Sequence, residues 1–215
     1  MRAHGGPRAA LASAVAFALV VGLGGPASAA PRHVSIRDFE YHPAAFVADM
    51  GVTVRWTDDD PTTHTATADD PLPNGKPGIR LFDSGSLDPG ASYSKRLPWA
   101  ATFAYHCTQH FGMDGRLSTR PVLADASTGD TVRYRVTWAL ADPPAGVRFD
   151  VQIRRPGKQF AAWFRGTGRS RLFRPDRSGT FAFRARLVKV DGSTVKASTL
   201  FSPAASVAVA LPLAG

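Results

Sequence analysis

The segment Tyr105-His106-Cys107-Thr108-Gln109-His110-Phe111-Gly112-Met113 places a thiol, an imidazole and a thioether within seven residues, at the spacing C-x2-H-x2-M. Cys107 is the only cysteine of the chain, so no intramolecular disulfide can form. Taken singly, a buried cysteine is a small hydrophobe and a methionine fills core space. Taken together at the end of a strand-like segment, the three are soft or borderline donors able to converge on one metal ion. A fourth donor has to come from elsewhere, and His64 lies in the loop after another strand-like segment. Two imidazoles and a thiolate in a plane with a weak axial methionine form the blue-copper arrangement. Zinc is the competitor, although structural zinc sites favour four Cys/His ligands and rarely use methionine. The expected ligands are His64, Cys107, His110 and Met113, holding one ion per chain.

Strands must position these residues. Val52-Thr53-Val54-Arg55-Trp56 alternates apolar and polar after Gly51, and Asp58-Asp59-Asp60-Pro61 ends it in the loop that leads to His64. Residues 93–97 and 102–107 read as further strands, the second running directly into Cys107, and Asp88-Pro89-Gly90 is a turn. In the second half, residues 132–138, 149–153, 161–164 and 180–190 repeat the alternating style, with Gly- and Pro-containing turns between them. With 17 prolines, 20 glycines and no long helical pattern after residue 30, the chain reads as all-β. Its 215 residues suit one large domain or two small ones at roughly 100–200 residues each.

Over residues 32–120 the chain resembles the cupredoxins, closest to the amicyanin- and plastocyanin-like group with the short C-x2-H-x2-M loop. The resemblance rests on Phe39 and Pro43, on Gly51 with Val52, Val54 and Trp56, and on Asp60 with His64-Thr65. It continues through Phe82-Asp83-Ser84-Gly85, Leu87, Pro89-Gly90 and Gly115-Arg116-Leu117. It implies a Greek-key β-sandwich, with copper on His64, Cys107, His110 and Met113. Thr65 stands where family members often have an asparagine that braces the cysteine loop, and its hydroxyl could donate in its place. Ala100-Ala101-Thr102 replaces a common Ala-Gly-Thr. Residues 122–212 resemble a fibronectin type III or immunoglobulin-like domain through Trp138, Phe149-Asp150-Val151-Gln152-Ile153 and Phe181–Arg186. A fold of that kind says little about function by itself.

His106, beside the cysteine, is where copper nitrite reductases and multicopper oxidases bind a second copper. Those enzymes need further histidine clusters; this chain has six histidines and no His-x-His pair. Strand alternation points His106 away from the Cys107 side. His33 would form an amino-terminal copper site only if processing left Pro31 first. No Ser/His/Asp triad, paired-carboxylate motif or phosphate loop appears, and four protein ligands leave a metal no open position for substrate, so an enzyme is not expected.

Arg2 and Arg8, an apolar run from Leu11 to Leu23 and the small residues Ala27–Ala30 read as a secretory signal peptide over residues 1–29. The run is short of the about 20 residues that cross a bilayer, and no other segment could span one. The mature protein is thus expected outside the cytoplasm: secreted, periplasmic or at the cell surface. The formal charge of +9 is unevenly placed. Residues 31–123 carry 9 basic and 11 acidic groups, residues 124–215 carry 15 and 6. A boundary follows, with a copper domain over 30–121 and a basic β-sandwich over 122–215. Arg165, Arg169, Arg171, Arg174 and Arg177 gather around one turn region. Outside the cytoplasm, nucleic acid is not the expected partner; an anionic cell-surface polymer or an acidic protein is. A redox partner protein is expected for the copper domain if it is a one-electron carrier. Copper buffering without a redox partner, and an interaction module with structural copper, are the alternatives.

Overall fold

The computed structural model describes residues 32–69 and 75–211. The segment read as a signal peptide lies outside them. Every regular element among the described residues is a strand. Two sheets build the first half. One has the order β2-β1-β4-β6, from Glu40–His42, Arg32–Arg37, Thr53–Asp58 and Ser92–Arg96. The other has the order β3-β8-β7-β5, from Ala45–Ala48, Asp114–Thr119, Ala101–His106 and Thr67–Ala68. Both contain a parallel pair, β1 with β4 and β3 with β8. Such pairs force the chain to cross between the sheets and make a sandwich rather than a meander.

The alternation read in the sequence accounts for β4: Val54 and Trp56 are fully buried, while Arg55 faces out. It does not account for β7, where Ala101 through Tyr105 are all buried. Both faces of β7 are covered, so its sequence carries no period of two, and only its run into Cys107 betrays it. Between the sheets lie Tyr41, Trp56, Phe82 and Tyr105, with Tyr105 4.7 Å from Tyr41 and 5.6 Å from Trp56 between ring centres.

The second half also packs two sheets. Val122–Asp125 (β9), Tyr134–Thr137 (β10) and Ser170–Phe173 (β13) form one, in the order β13-β10-β9. Phe160–Gly166 (β12), Val147–Arg154 (β11), Gly179–Asp191 (β14) and Thr194–Ser198 (β15) form the other, with Ala205–Val209 (β16) also pairing to β14. Phe149, Val151, Ile153, Phe181, Phe183 and Leu187 are fully buried between the sheets with Trp138.

The halves meet in a seam of backbone hydrogen bonds. The Ala100 amide donates to the Trp138 carbonyl at 2.8 Å and the Leu140 amide to that of Pro98 at 2.8 Å. Thr102 and Leu200 exchange both of their bonds. The Trp99 indole reaches the carbonyls of Ala141 and Asp142, each at 3.2 Å. Thr102 lies on β7, so the strand that runs into Cys107 is anchored at its other end by the second half.

Candidate metal centre

β4 delivers the chain into an acidic turn, and the segment after it is stitched to residues 82–87. His64 and Leu87 exchange backbone hydrogen bonds at 3.0 and 2.8 Å, the Ser84 hydroxyl accepts from the Ala66 amide, and the Ala68 amide donates to the Phe82 carbonyl. That lacing holds His64 with no exposed surface. The Phe82-Asp83-Ser84-Gly85 stretch is thus a brace for the first histidine. From the other sheet, β7 ends at His106, and the turn carrying Cys107 to Met113 closes on itself as the Cys107 amide donates to the Met113 carbonyl at 3.0 Å.

These two segments bring His64, Cys107 and His110 together, with one ligand atom of each within 4.8 Å of the others. The two Nδ1 atoms are 3.0 Å apart; Sγ lies 3.9 Å from Nδ1 of His64 and 3.5 Å from Nδ1 of His110. An ion bonded at about 2.0 Å to nitrogen and about 2.3 Å to sulfur wants its donors roughly 3.5–3.8 Å apart. The triangle is close to that size. The first imidazole is also in the right tautomer. The Asp60 carboxylate, 3.1 Å from Nε2 of His64, can only accept, so the proton sits on Nε2 and the Nδ1 lone pair faces the other two donors. Met113 is 3% exposed, at the end of the same turn. Two imidazoles, one thiol and a buried thioether fit copper better than zinc. His64, Cys107 and His110 form a copper site. The first half of the chain is a β-sandwich around this site, as the resemblance to the cupredoxins implies.

No family model matches the chain, and no curated protein does. Among solved structures the chain is similar to a purple cupredoxin from Nitrosopumilus maritimus, at 26% identity over 41% of this chain and 98% of that one, with a TM-score of 0.37. It is also similar to a reduced amicyanin variant (22% identity, 41% and 81% covered, TM-score 0.36) and to the Cu(I) form of another (24%, 41% and 81%, 0.36). The geometry above carries the assignment.

Two residues beyond the donors, Asp60 and Phe39, shape this site. Asp60 accepts from the Phe39 amide at 2.9 Å as well as from His64. Those bonds, the Phe39 amide first, hold its carboxyl below the usual range despite burial. Phe39, in a turn with positive φ at Asp38 and Phe39, sets its ring edge-on to His64 at 5.5 Å and His110 at 4.9 Å. A phenylalanine rarely takes that backbone conformation, so the Asp60 bond helps hold an unfavourable turn in place. His106 turns to Asp69, with Nδ1 2.5 Å from the carboxylate. Burial pushes the Asp69 carboxyl up, against the opposing pull of His106.

Thr65 braces the cysteine turn, and the donation expected of its hydroxyl has a partner in the Thr108 hydroxyl at 3.3 Å. Its hydroxyl accepts from the Thr108 amide at 2.9 Å and from the Thr67 hydroxyl at 3.2 Å, while its own amide donates to Cys107 Sγ at 3.4 Å. Thr65→Val keeps shape and the amide but removes the acceptor. The Thr108 amide then loses its partner, which costs about 1–3 kcal/mol. Denaturant unfolding should show that loss, and copper should dissociate faster because the turn loosens; unchanged values for both would mean Thr65 braces nothing.

Proposed function

We propose that this protein is an exported one-electron carrier in which Met113 would be the fourth residue to hold the copper, with residues 122–215 as a separate domain. Copper held there supplies a Cu(II)/Cu(I) couple. The observation that carries the reading is the contrast around the two histidines: His64 is fully buried, whereas His110 is partly exposed next to Phe111, whose side chain is entirely in solvent at 109%. Phe39, half exposed and edge-on to His110, extends the same apolar rim. A carrier needs one ligand edge at the surface and a patch that sheds water on contact. A buffer needs only affinity. With Met113 as the fourth donor the protein would supply every ligand of the copper, which supports a carrier over an enzyme.

The first test is Cu(II) added to purified protein, read by visible absorption and electron paramagnetic resonance. One copper per chain with an intense thiolate band is expected. The second is Phe111→Glu, which removes no packing because the ring touches solvent on every side. The band and copper affinity should stay, while electron self-exchange slows by about 10-fold or more, since burying a carboxylate at the contact costs more than an apolar patch returns. A blue Phe111→Glu variant that exchanges as fast as the wild type would move the reading to copper buffering.

A further inference from the structure

The sequence places five arginines of the second half around one turn, but most of these are spoken for in the fold. Arg165 pairs with Asp150, Arg169 with Asp142 and Arg177 with Asp176, while Arg171 lies over the Trp163 ring. The unmatched charge is elsewhere, on the outward face of β11 and β14. The inward residues of β11 are Val147, Phe149, Val151 and Ile153, all buried. Its outward residues are Arg148, Asp150, Gln152 and Arg154, with Arg186 and Arg184 of β14 directly opposite Asp150 and Gln152. Arg165 of β12 adds to this face beside Asp150. Five arginines thus share one carboxylate.

The arginines are ordered by aromatic rings. Arg154 lies 5.1 Å and Arg184 4.1 Å from the centre of the Phe160 ring; Arg184 and Arg186 each lie 4.3 Å from that of Phe201. The result is a ladder, Arg154–Phe160–Arg184–Phe201–Arg186. Gln152 fixes Arg184 by accepting from Nε and Nη2 at 2.9 and 2.7 Å. Among the described residues, Arg148, Arg154 and Arg184 have no carboxylate partner. Burial, and then the like charge of Arg186, hold the Arg184 guanidinium below its usual range. Mutual repulsion therefore persists in the free protein, and an anion relieves it.

We infer that the arginine face of β11, β12 and β14 binds a linear polyanion carrying closely spaced phosphate groups. Arg184 and Arg186 stand about 6.7 Å apart along β14, and Arg148 and Arg154 lie about 20 Å apart at the two ends of β11, a span a polymer covers and a lone ion does not. Stacked, pre-ordered guanidinium planes lose little freedom on gripping phosphate oxygens. A membrane surface fits less well. Among the described residues the exposed large apolar side chains are Phe39, Val47, Phe111, Val122, Leu140 and Leu172, none of them on this face, and the face's own rings, Phe160 and Phe201, are part-buried and covered by guanidinia. The ladder also leaves the copper end free. Phe201 follows Leu200, the partner of Thr102, and Cys107 lies five residues further along, about 17 Å away in an extended strand. The face would tether the protein while His110 stays open to a partner; the inference does not depend on the electron-carrier reading.

The test uses the whole two-domain protein and long-chain inorganic polyphosphate, with binding followed by fluorescence anisotropy from about 50 to 200 mM salt. Log affinity should fall against log salt with a slope of about −3, for four or five neutralised phosphates. Arg148→Glu with Arg154→Glu, both exposed, should weaken binding about 10-fold or more and flatten the slope. Arg120→Glu with Arg135→Glu changes net charge equally but lies off the face, and should stay within about twofold. Circular dichroism and the copper band report that each variant is folded. Absence of polyphosphate binding, or equal losses in the two double variants, overturns the inference. So does tighter attachment to phosphatidylglycerol–phosphatidylcholine vesicles than to the polymer, which would assign the face to a membrane.

Discussion

Cys107→Ser should fold, remain colourless with Cu(II), and bind the metal more than about 100-fold more weakly than the wild type. Altering residues around a metal ligand typically costs 10–100-fold in affinity, so removing the ligand itself should exceed that. The thiolate is the one donor of the triangle that is both anionic and soft, and the intense visible band belongs to charge transfer from it. A serine hydroxyl stays protonated at neutral pH and bonds weakly to copper. The variant should be no less stable without metal, because Cys107 is small and buried and the Thr65 amide can donate to oxygen as it does to sulfur. Visible titration with Cu(II), beside thermal unfolding of the metal-free proteins, measures both expectations. An intense band surviving in Cys107→Ser would remove the sulfur from the site.

A second large effect is expected where no ligand is touched. Gly115, on β8 directly opposite Tyr105, has no room for a methyl group: a Cβ there would lie 2.2 Å from the Tyr105 ring. The ring cannot retreat. It is fully buried, packed on Tyr41, Trp56 and Phe82, and it stands two residues before Cys107. Gly115→Ala should therefore destabilise by about 3 kcal/mol or more, at the upper end for overpacking a core. The displaced strand should also widen the donor triangle, shifting the copper band and speeding metal loss. Thermal and denaturant unfolding of the metal-free protein isolate the packing cost; a wild-type midpoint would show that Tyr105 has another place to go.

Much of the site was legible because three of its residues share one turn. The spacing of Cys107, His110 and Met113 is a local property, and a turn after a strand is enough to gather them. His64 was legible only through the alternating strand before it and the resemblance to a known family. Asp60 and Phe39 stood in that resemblance without a task, since neither is a ligand and nothing local links them to His110. The arginine ladder left no linear trace at all. Its members come from residues 154, 160, 184, 186 and 201, while the five arginines that crowd together in sequence are mostly paired by the fold.

By itself the sequence determined the strand-rich character, the donor types and the uneven charge, because side-chain chemistry, period-two burial and turn residues act over a few neighbouring positions. Tertiary structure decided what spans the chain. It set the His64 tautomer through Asp60 and gave the Thr65 hydroxyl the Thr108 amide to hold. It also brought the Nδ1 atoms of His64 and His110 to 3.0 Å across 46 residues, and drew the second half onto β7 through Thr102 and Leu200. Those contacts depend on which strands pair and in what register, because the pairing places the loops that carry these side chains.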